Sequence, residues 1–278
     1  MTAGTDHVLE VEHLQVQLKS NAGLIPLLEP LRFKLQKGRI LGIVGESGSG
    51  KSLTCHAILR LLQPRQMEWS GTVRLNGRDL GTLSDKEMRT IRGKEIGSIM
   101  QNPMNAFTPV YTIGSQFVET LRTHTRISKQ QAIQQAIEAL ASMNLPDPHK
   151  LLKKYPFQIS GGMLQRVMIA ISMCLKPPLL IADEPTTALD VVNQLQVLRE
   201  LDRLRYECGT SIVLVSHDLG VISQLADEVV VMYKGQIVEQ GEVAQIFDQP
   251  QHEYTQMLLR SRPTAIIDRL SSSTPIEL

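Results

Sequence analysis

A glycine-rich octapeptide lies between an apolar segment and a helical one, and it limits how this chain can fold more than any other feature. It reads GESGSGKS over residues 45–52 and matches the pattern GxxxxGK[ST] at every fixed position. Glycines let successive backbone N–H groups converge on phosphate oxygens without Cβ clashes, and the N-terminus of the following helix adds a favourable dipole. The sequence therefore predicts a strand, a phosphate-binding loop and a helix in succession.

The residues of this loop form the first predicted nucleotide site. They are Gly45, Glu46, Ser47, Gly48, Ser49, Gly50, Lys51, Ser52 and Leu53. Lys51 would reach the β- and γ-phosphates, and the Ser52 hydroxyl would ligate Mg²⁺. The alternative, a flexible glycine loop with an incidental lysine, does not account for the flanking strand and helix.

Two carboxylates follow a second apolar segment, residues 179–182. Parallel sheets gather functional groups at the carboxyl ends of their strands, and these carboxylates would therefore lie near the glycine-rich loop. Asp183 would hold Mg²⁺, and Glu184 would polarise the attacking water as general base. Together the two elements predict a P-loop NTPase.

Strand-like and helix-like segments alternate along the chain, which predicts an α/β fold with a largely parallel sheet covered on both faces. Residues 39–44, 179–182 and 212–215 are expected to be strands, and residues 8–19 alternate as a half-exposed strand does. The apolar stretches are all shorter than a membrane-spanning helix requires, and the N-terminus lacks the pattern of a signal peptide.

Residues 104–158 have helical character and are interpreted as an insert in the sheet domain. Ser128 opens a predicted capping box, and Ile133, Ile137 and Leu140 recur on one predicted helix face.

Four further motifs, in order, resemble those of ABC ATPases, and the resemblance extends from about residue 8 to 260. They are Gln101 before Asn102-Pro103 (the Q-loop), Ile159-Ser160-Gly161-Gly162 (the signature), Ala188-Leu189-Asp190 (the D-loop) and Ser216-His217-Asp218 (the H-loop). The resemblance implies an ABC-type P-loop fold with a mixed, mostly parallel core sheet, an N-terminal antiparallel β part and a helical subdomain. It divides the chain into 1–103 and 159–247 for the ATP-binding core, 104–158 for the helical subdomain, and 248–278 for a partly disordered C-terminal extension.

The same resemblance implies roles for these residues. Gln101 would ligate Mg²⁺ and sense the nucleophile, and His217 would contact the γ-phosphate and orient the water, so the catalytic set is Glu184, His217 and Gln101. Ser160, Gly161 and Gly162 would meet the γ-phosphate held by the opposite subunit, and Asp190 would touch that subunit. ATP and Mg²⁺ are the expected cofactors.

Several segments are most similar to the nickel and oligopeptide importer branch, and their sequences most resemble the NikD-type subunits of nickel importers. They are Gly45–Cys55, Ile99–Thr112, Tyr155–Arg166 and Ile181–Val192. The resemblance implies an ATP hydrolase that energises uptake of nickel or a nickel complex, with dipeptide or oligopeptide uptake as the alternative. A soluble ABC ATPase acting on nucleic acid, and a subunit that binds ATP without hydrolysing it, are the other readings.

The implied partners are a second ABC ATPase subunit, expected to be a paralogue, two transmembrane permease subunits and, indirectly, a solute-binding protein. The implied location is peripheral, at the cytoplasmic face of the inner membrane. The net charge is +1, with no basic patch, so no nucleic-acid partner is expected.

Two positions depart from the common ABC pattern. Leu18 occupies the place near the first strand where many members stack an aromatic on adenine, and Met163 replaces the usual glutamine after the signature. Of the three cysteines none lies beyond Cys208, so no iron–sulfur centre is expected. The seven histidines lack metal-ligand spacing, so the residues themselves do not identify a transported metal.

Overall fold

The computed structural model describes residues 6–187 and 189–260, which form two β-sheets and ten α-helices. The strands are β1 (His7–Ser20), β2 (Gly23–Gln36), β3 (Ile40–Val44), β4 (Met67–Leu75), β5 (Arg78–Asp79), β6 (Ile96–Ile99), β7 (Leu179–Asp183), β8 (Ser211–Val215), β9 (Glu228–Tyr233) and β10 (Gln236–Glu242). The helices are α1 (Lys51–Ile58), α2 (Asp85–Ile91), α3 (Ile113–His124), α4 (Lys129–Ser142), α5 (Pro148–Leu151), α6 (Gly161–Leu175), α7 (Val191–Cys208), α8 (Leu219–Leu225), α9 (Val243–Asp248) and α10 (Glu253–Arg260). Ala188 of the predicted D-loop and residues 261–278 of the predicted C-terminal extension lie outside the described residues, whereas residues 248–260 of that extension are described and include α10.

The larger sheet has six strands in the order β10-β9-β3-β8-β7-β6. The five strands from β9 to β6 are parallel, and β10 pairs antiparallel with β9. Strands β3, β7 and β8 are buried along their whole length, as apolar strands covered on both faces should be. The predicted largely parallel α/β sheet is confirmed.

The smaller sheet has four antiparallel strands in the order β2-β1-β4-β5. Its two long strands, β1 and β2, alternate buried and exposed residues over much of their length, because one face packs on the core and the other faces water. The expected N-terminal antiparallel part is confirmed.

Alternate residues of the central strand β3 contribute to two separate apolar clusters. Leu41 and Ile43 pack with β1, β2 and β4 of the smaller sheet. Ile40 and Val44 pack on the other face, with helices that include α3, α6 and α7. This two-residue period places the sheet between two apolar layers. Because the five strands from β9 to β6 are parallel, their carboxyl ends lie at one edge of the sheet.

Helices α3, α4 and α5 follow one another between β6 and β7, in the segment predicted to be a helical insert. The predicted capping box of α4 is present, with the Ser128 hydroxyl and the Gln131 side chain bonding reciprocally to the backbone. The predicted apolar face is partly wrong, because α4 buries Ala132, Ala136 and Leu140. Alanines allow close helix packing, and the bulkier Ile133 is displaced to the flank, where it is 36% exposed.

The helix predicted to follow the glycine-rich loop is α1. It begins at Lys51, directly after Gly50, whose φ of 105° turns the chain into the first helical turn. It ends at Ile58, because Arg60 adopts a left-handed φ of 51° that a continuing helix excludes.

Candidate nucleotide-binding site

The glycine-rich loop joins the carboxyl end of β3 to the N-terminus of α1, as the sequence predicts. Gly45 lies so close to β9 that a Cβ there would be 2.1 Å from the carbonyl oxygen of Met232. No side chain fits that position, so the first glycine is required by packing as well as by access to phosphate.

Lys51 lies inside the loop, with only 5% of its surface exposed. Its Nζ atom donates hydrogen bonds to the carbonyl oxygens of Gly45, at 2.7 Å, and Glu46, at 2.8 Å. Burial lowers the pKa of Lys51, and the nearby carboxylates of Glu184 and Asp183 oppose that shift. The ammonium is therefore held in the loop, with backbone oxygens as its present acceptors.

Asp183 and Ser52 meet at the same edge of the sheet. The Ser52 hydroxyl donates to Asp183 Oδ1 at 3.1 Å, across 131 residues of chain. Asp183 is 1% exposed, and burial raises the pKa of its carboxyl group. A hydroxyl and a carboxylate are oxygen donors of the kind that Mg²⁺ prefers.

The loop also contains a polar atom without a partner. Ser49 Oγ is buried and makes no hydrogen bond within the described part of the chain. A buried hydroxyl of this kind is costly unless a ligand satisfies it. Together with the Ser52–Asp183 oxygens and the Lys51 ammonium, it fits a magnesium-bound phosphate group.

The side chains of three residues contact the Glu184 carboxylate. Its Oε2 atom accepts hydrogen bonds from Gln101 Nε2, at 2.8 Å, and Thr187 Oγ1, at 2.9 Å. Its Oε1 atom lies 3.4 Å from His217 Nδ1. The predicted catalytic residues Gln101, Glu184 and His217 are thus brought together.

Backbone geometry sets the direction of the Glu184 side chain. Glu184 has a left-handed φ of 48°, a conformation that costs a non-glycine residue on the order of 1 kcal/mol or more.

Burial acts to raise the pKa of Glu184, but the Thr187 hydrogen bond and the charge of His217 outweigh it and lower that pKa overall. The carboxylate is therefore ionised in the neutral range, as a proton acceptor must be.

Thr187 is a site residue that the sequence analysis did not single out. It lies three residues after Glu184, and a turn joins the two, with the Thr187 amide donating to the Glu184 carbonyl oxygen at 3.4 Å. The nearest sequence signal is the run Pro185-Thr186-Thr187, which is typical of a tight turn after a strand.

The predicted signature residues lie at the start of α6 and are exposed or half-buried. Ser160 caps the helix, and its Oγ atom accepts from the Met163 amide at 3.3 Å. A Cβ at Gly161 would meet no described atom within 4 Å. The hydrogen bonds of Ser160 join it to its own helix, and those of the glycine-rich loop do not include it.

Asp190, Leu53 and Leu18 have separate environments. Asp190 caps α7, and the Asn193 amide, donating at 2.9 Å, lowers its pKa. Leu53 packs at the edge of the apolar cluster beneath the smaller sheet. Leu18 is half-buried near the end of β1 and pairs in register with Ile25 of β2 and Met67 of β4.

Two features are absent from the described ranges. Neither 6–187 nor 189–260 contains a helix that is both long enough and apolar enough to cross a bilayer. Within the same ranges, no cluster of three or more His, Cys, Asp or Glu side chains is placed to hold a metal ion.

Comparison with known proteins identifies several similar chains. A family model described as ABC transporter matches residues 28–187. The oligopeptide transport ATP-binding protein OppD of Bacillus subtilis (strain 168) is 47% identical over 258 residues, which cover 92% of this chain and 72% of that protein. The dipeptide transport ATP-binding protein DppD of the same organism is 43% identical over 273 residues, covering 98% and 81%.

Solved structures with the same fold include a dimeric, post-hydrolysis state of the ATP-binding cassette MJ0796 bound to ADP and Pi. It superposes with a TM-score of 0.77 at 26% identity, covering 84% of this chain and 98% of that one. This likeness confirms the predicted fold class.

Proposed function

Because this chain belongs to the ABC transporter family, we propose that it is the ATP-binding and ATP-hydrolysing subunit of a peptide importer. The observation that carries the hydrolytic part is the convergence of Gln101, Thr187 and His217 on the Glu184 carboxylate. Next to it lies the Ser52–Asp183 pair at the phosphate loop.

The roles of these side chains follow from where their polar atoms lie. Lys51 would exchange its carbonyl acceptors for phosphate oxygens when ATP enters, because an ammonium bonds more strongly to an anion than to a neutral carbonyl. Glu184 would take a proton from the attacking water at its carboxylate oxygens. Gln101 and His217 would hold that carboxylate in position. Mg²⁺ held by Ser52 and Asp183 would neutralise charge on the transferred phosphoryl group.

Peptide is proposed as the cargo in place of nickel. Relatives that match more than nine-tenths of this chain include proteins named as oligopeptide, dipeptide and putative peptide import ATP-binding proteins. The motifs resemble those of nickel importers, so nickel is the alternative outcome of the experiment below. Cargo would pass through the permeases, so the chemistry of this chain does not separate the two.

The exposed signature supports a head-to-tail partner. Ser160 and Gly161 begin a helix of 15 residues whose first amides point to no acceptor in the glycine-rich loop of the same chain. A second ATPase subunit would supply that acceptor as bound ATP, and a paralogue is the proposed partner. Two permeases and a solute-binding protein would complete the importer, with this chain on the cytoplasmic face of the inner membrane.

The test is ATP hydrolysis by the assembled importer in lipid vesicles. The solute-binding protein is supplied empty, loaded with a dipeptide, loaded with an oligopeptide, or loaded with Ni²⁺. A peptide-loaded protein is expected to stimulate hydrolysis several-fold, and the Ni²⁺-loaded form is expected to match the empty one.

Each other outcome corrects a separate part of the proposal. Stimulation by Ni²⁺ alone would replace the cargo and leave the motor role in place. Failure of the chain to co-purify with any integral membrane protein would replace the transport role with that of a soluble ABC ATPase. Binding of ATP without turnover would identify a non-hydrolysing subunit.

A further inference from the structure

A tyrosine near the C-terminal end of the described chain is hydrogen-bonded to the phosphate loop. Tyr254, in α10, is 5% exposed, and its Oη atom accepts a hydrogen bond from the Glu46 amide at 2.9 Å. The two residues are 208 positions apart. Burial raises the pKa of Tyr254, so its phenol stays protonated throughout the neutral range.

The Tyr254 ring is fixed by a second contact. It stacks on Tyr233 at the end of β9, with ring centroids 4.2 Å apart and an interplanar angle of 29°. Tyr233 directly follows Met232, whose carbonyl oxygen packs against Gly45. The tyrosine pair therefore lies against the same end of the phosphate loop that β9 supports.

The chain before α10 is anchored to β10 by hydrogen bonds. Glu239 accepts from the amides of Gln251, at 2.7 Å, and His252, at 3.1 Å. His252 Nδ1 in turn accepts from the Tyr254 amide at 3.1 Å. These bonds fix the start of α10 relative to the sheet, so the position of the phenol oxygen is set by the fold.

Tyr254 and Lys51 are both hydrogen-bonded to the backbone of Glu46. The Glu46 amide donates to Tyr254, and the Glu46 carbonyl accepts from Lys51 at 2.8 Å. When the lysine turns to a phosphate, its bond to that carbonyl is lost, whereas the tyrosine bond does not depend on it. Tyr254 can therefore keep the loop in shape while Lys51 changes partners.

We propose that Tyr254 is a positioning residue for ATP, which preorganises the phosphate loop through the Glu46 amide. The proposal rests on the ATP-binding function proposed above and extends it to residues 251–254, outside the loop motifs of that site. A preorganised loop loses less conformational freedom when ligand binds, so the effect should appear in nucleotide affinity.

The test replaces Tyr254 with phenylalanine, which keeps the ring and its stacking and removes only Oη. The dissociation constant of Mg-ATP, measured by calorimetry, is expected to rise roughly 3- to 10-fold, the equivalent of one neutral hydrogen bond. In the assembled importer, KM for ATP should rise by a similar factor and kcat should stay within about twofold of the wild type.

Tyr206→Phe is the matched control, because Tyr206 is 73% exposed on α7. It should leave the affinity and both kinetic constants unchanged. Tyr254→Ala also removes the stacking and should weaken affinity further than Tyr254→Phe.

Thermal unfolding without nucleotide separates positioning from stability. A lower melting temperature for Tyr254→Phe with unchanged ATP affinity would overturn the proposal, as would equal effects of Tyr254→Phe and Tyr206→Phe. Failure of the wild-type chain to bind ATP would instead overturn the proposed function.

Discussion

The Gln101 amide and the Glu184 carboxylate are hydrogen-bonded at 2.8 Å, although 83 residues separate them along the chain. Gln101 lies just beyond β6 and Glu184 directly follows β7, and these two strands are parallel neighbours. Gln101 also precedes the helices α3–α5. The contact therefore joins the proposed general base to the helical segment, and a displacement of that segment would move a partner of the base.

Glu184→Gln should separate ATP binding from hydrolysis. The amide keeps the size of the carboxylate but cannot accept a proton, so turnover should fall by about 10²–10⁴-fold, the usual contribution of a general base. ATP affinity should be retained, since Lys51 and the loop amides are untouched. Turnover is measured in the assembled importer and affinity by calorimetry.

A suitable control for that substitution is Glu207→Gln, since the Glu207 side chain is 64% exposed. It should hydrolyse ATP at the wild-type rate. Unchanged hydrolysis in Glu184→Gln would remove Glu184 from its assigned role.

Lys51→Ala should weaken nucleotide binding as well as turnover. The buried ammonium is the cation closest to the loop carbonyls, and a charge-assisted hydrogen bond to phosphate corresponds to roughly a 10- to 100-fold change in affinity. The exposed Lys37, changed to alanine, provides the control. Normal ATP affinity in Lys51→Ala would contradict the phosphate-binding role of the loop.

The sequence was sufficient to predict the elements whose signals are local. The loop over 45–52 and the strands β3, β7 and β8 are encoded by short runs of glycine or apolar residues, so their positions and order could be predicted. The meeting of Ser52 with Asp183 followed from the rule that parallel strands end at one edge.

Features that depend on tertiary packing were not predicted. The left-handed φ of Glu184 has no local signal, because glutamate rarely adopts it and only the surrounding turn enforces it. The buried face of α4 was misjudged because close helix packing selected Ala136 over Ile133. The bond from Glu46 to Tyr254 joins distant parts of the chain, which no periodicity reveals.

Glu239→Gln should destabilise the protein in a pH-dependent way. Burial acts to raise the pKa of Glu239, but the Gln251 and His252 amides outweigh it and hold that pKa below its usual value of 4.5. A carboxylate with a lowered folded-state pKa stabilises the fold above the unfolded pKa, and that contribution is lost as the pH falls through the folded pKa.

The expected loss at pH 7 is about 1 kcal/mol of unfolding free energy, since the carboxylate is partly exposed and glutamine can still accept one bond. Urea unfolding measures the difference from wild type at pH 7 and again below pH 4. The difference should shrink in acid, and an equal difference at both pH values would show that the Glu239 charge contributes nothing.

Gly161 offers a direct test of the partner subunit, because its surroundings within this chain are open. A Cβ there would meet no described atom within 4 Å, and the residue begins α6. An aspartate at the first position of a helix interacts favourably with the helix dipole, by about 0.3–1 kcal/mol. If a side chain at position 161 weakens association with the second ATPase, the clash or repulsion must therefore arise outside the described part of the chain.

Gly161→Asp should leave the subunit as stable as wild type and abolish its ATP-driven association with the second ATPase. The carboxylate would face the γ-phosphate held by that partner, and two anions at contact repel each other. Association is measured by analytical ultracentrifugation with ATP, in the Glu184→Gln background so that nucleotide is not consumed. Gly161→Ala, which adds a methyl group without charge, should weaken association less. If Gly161→Asp associated as tightly as its parent, α6 could not be the surface that meets the partner's nucleotide.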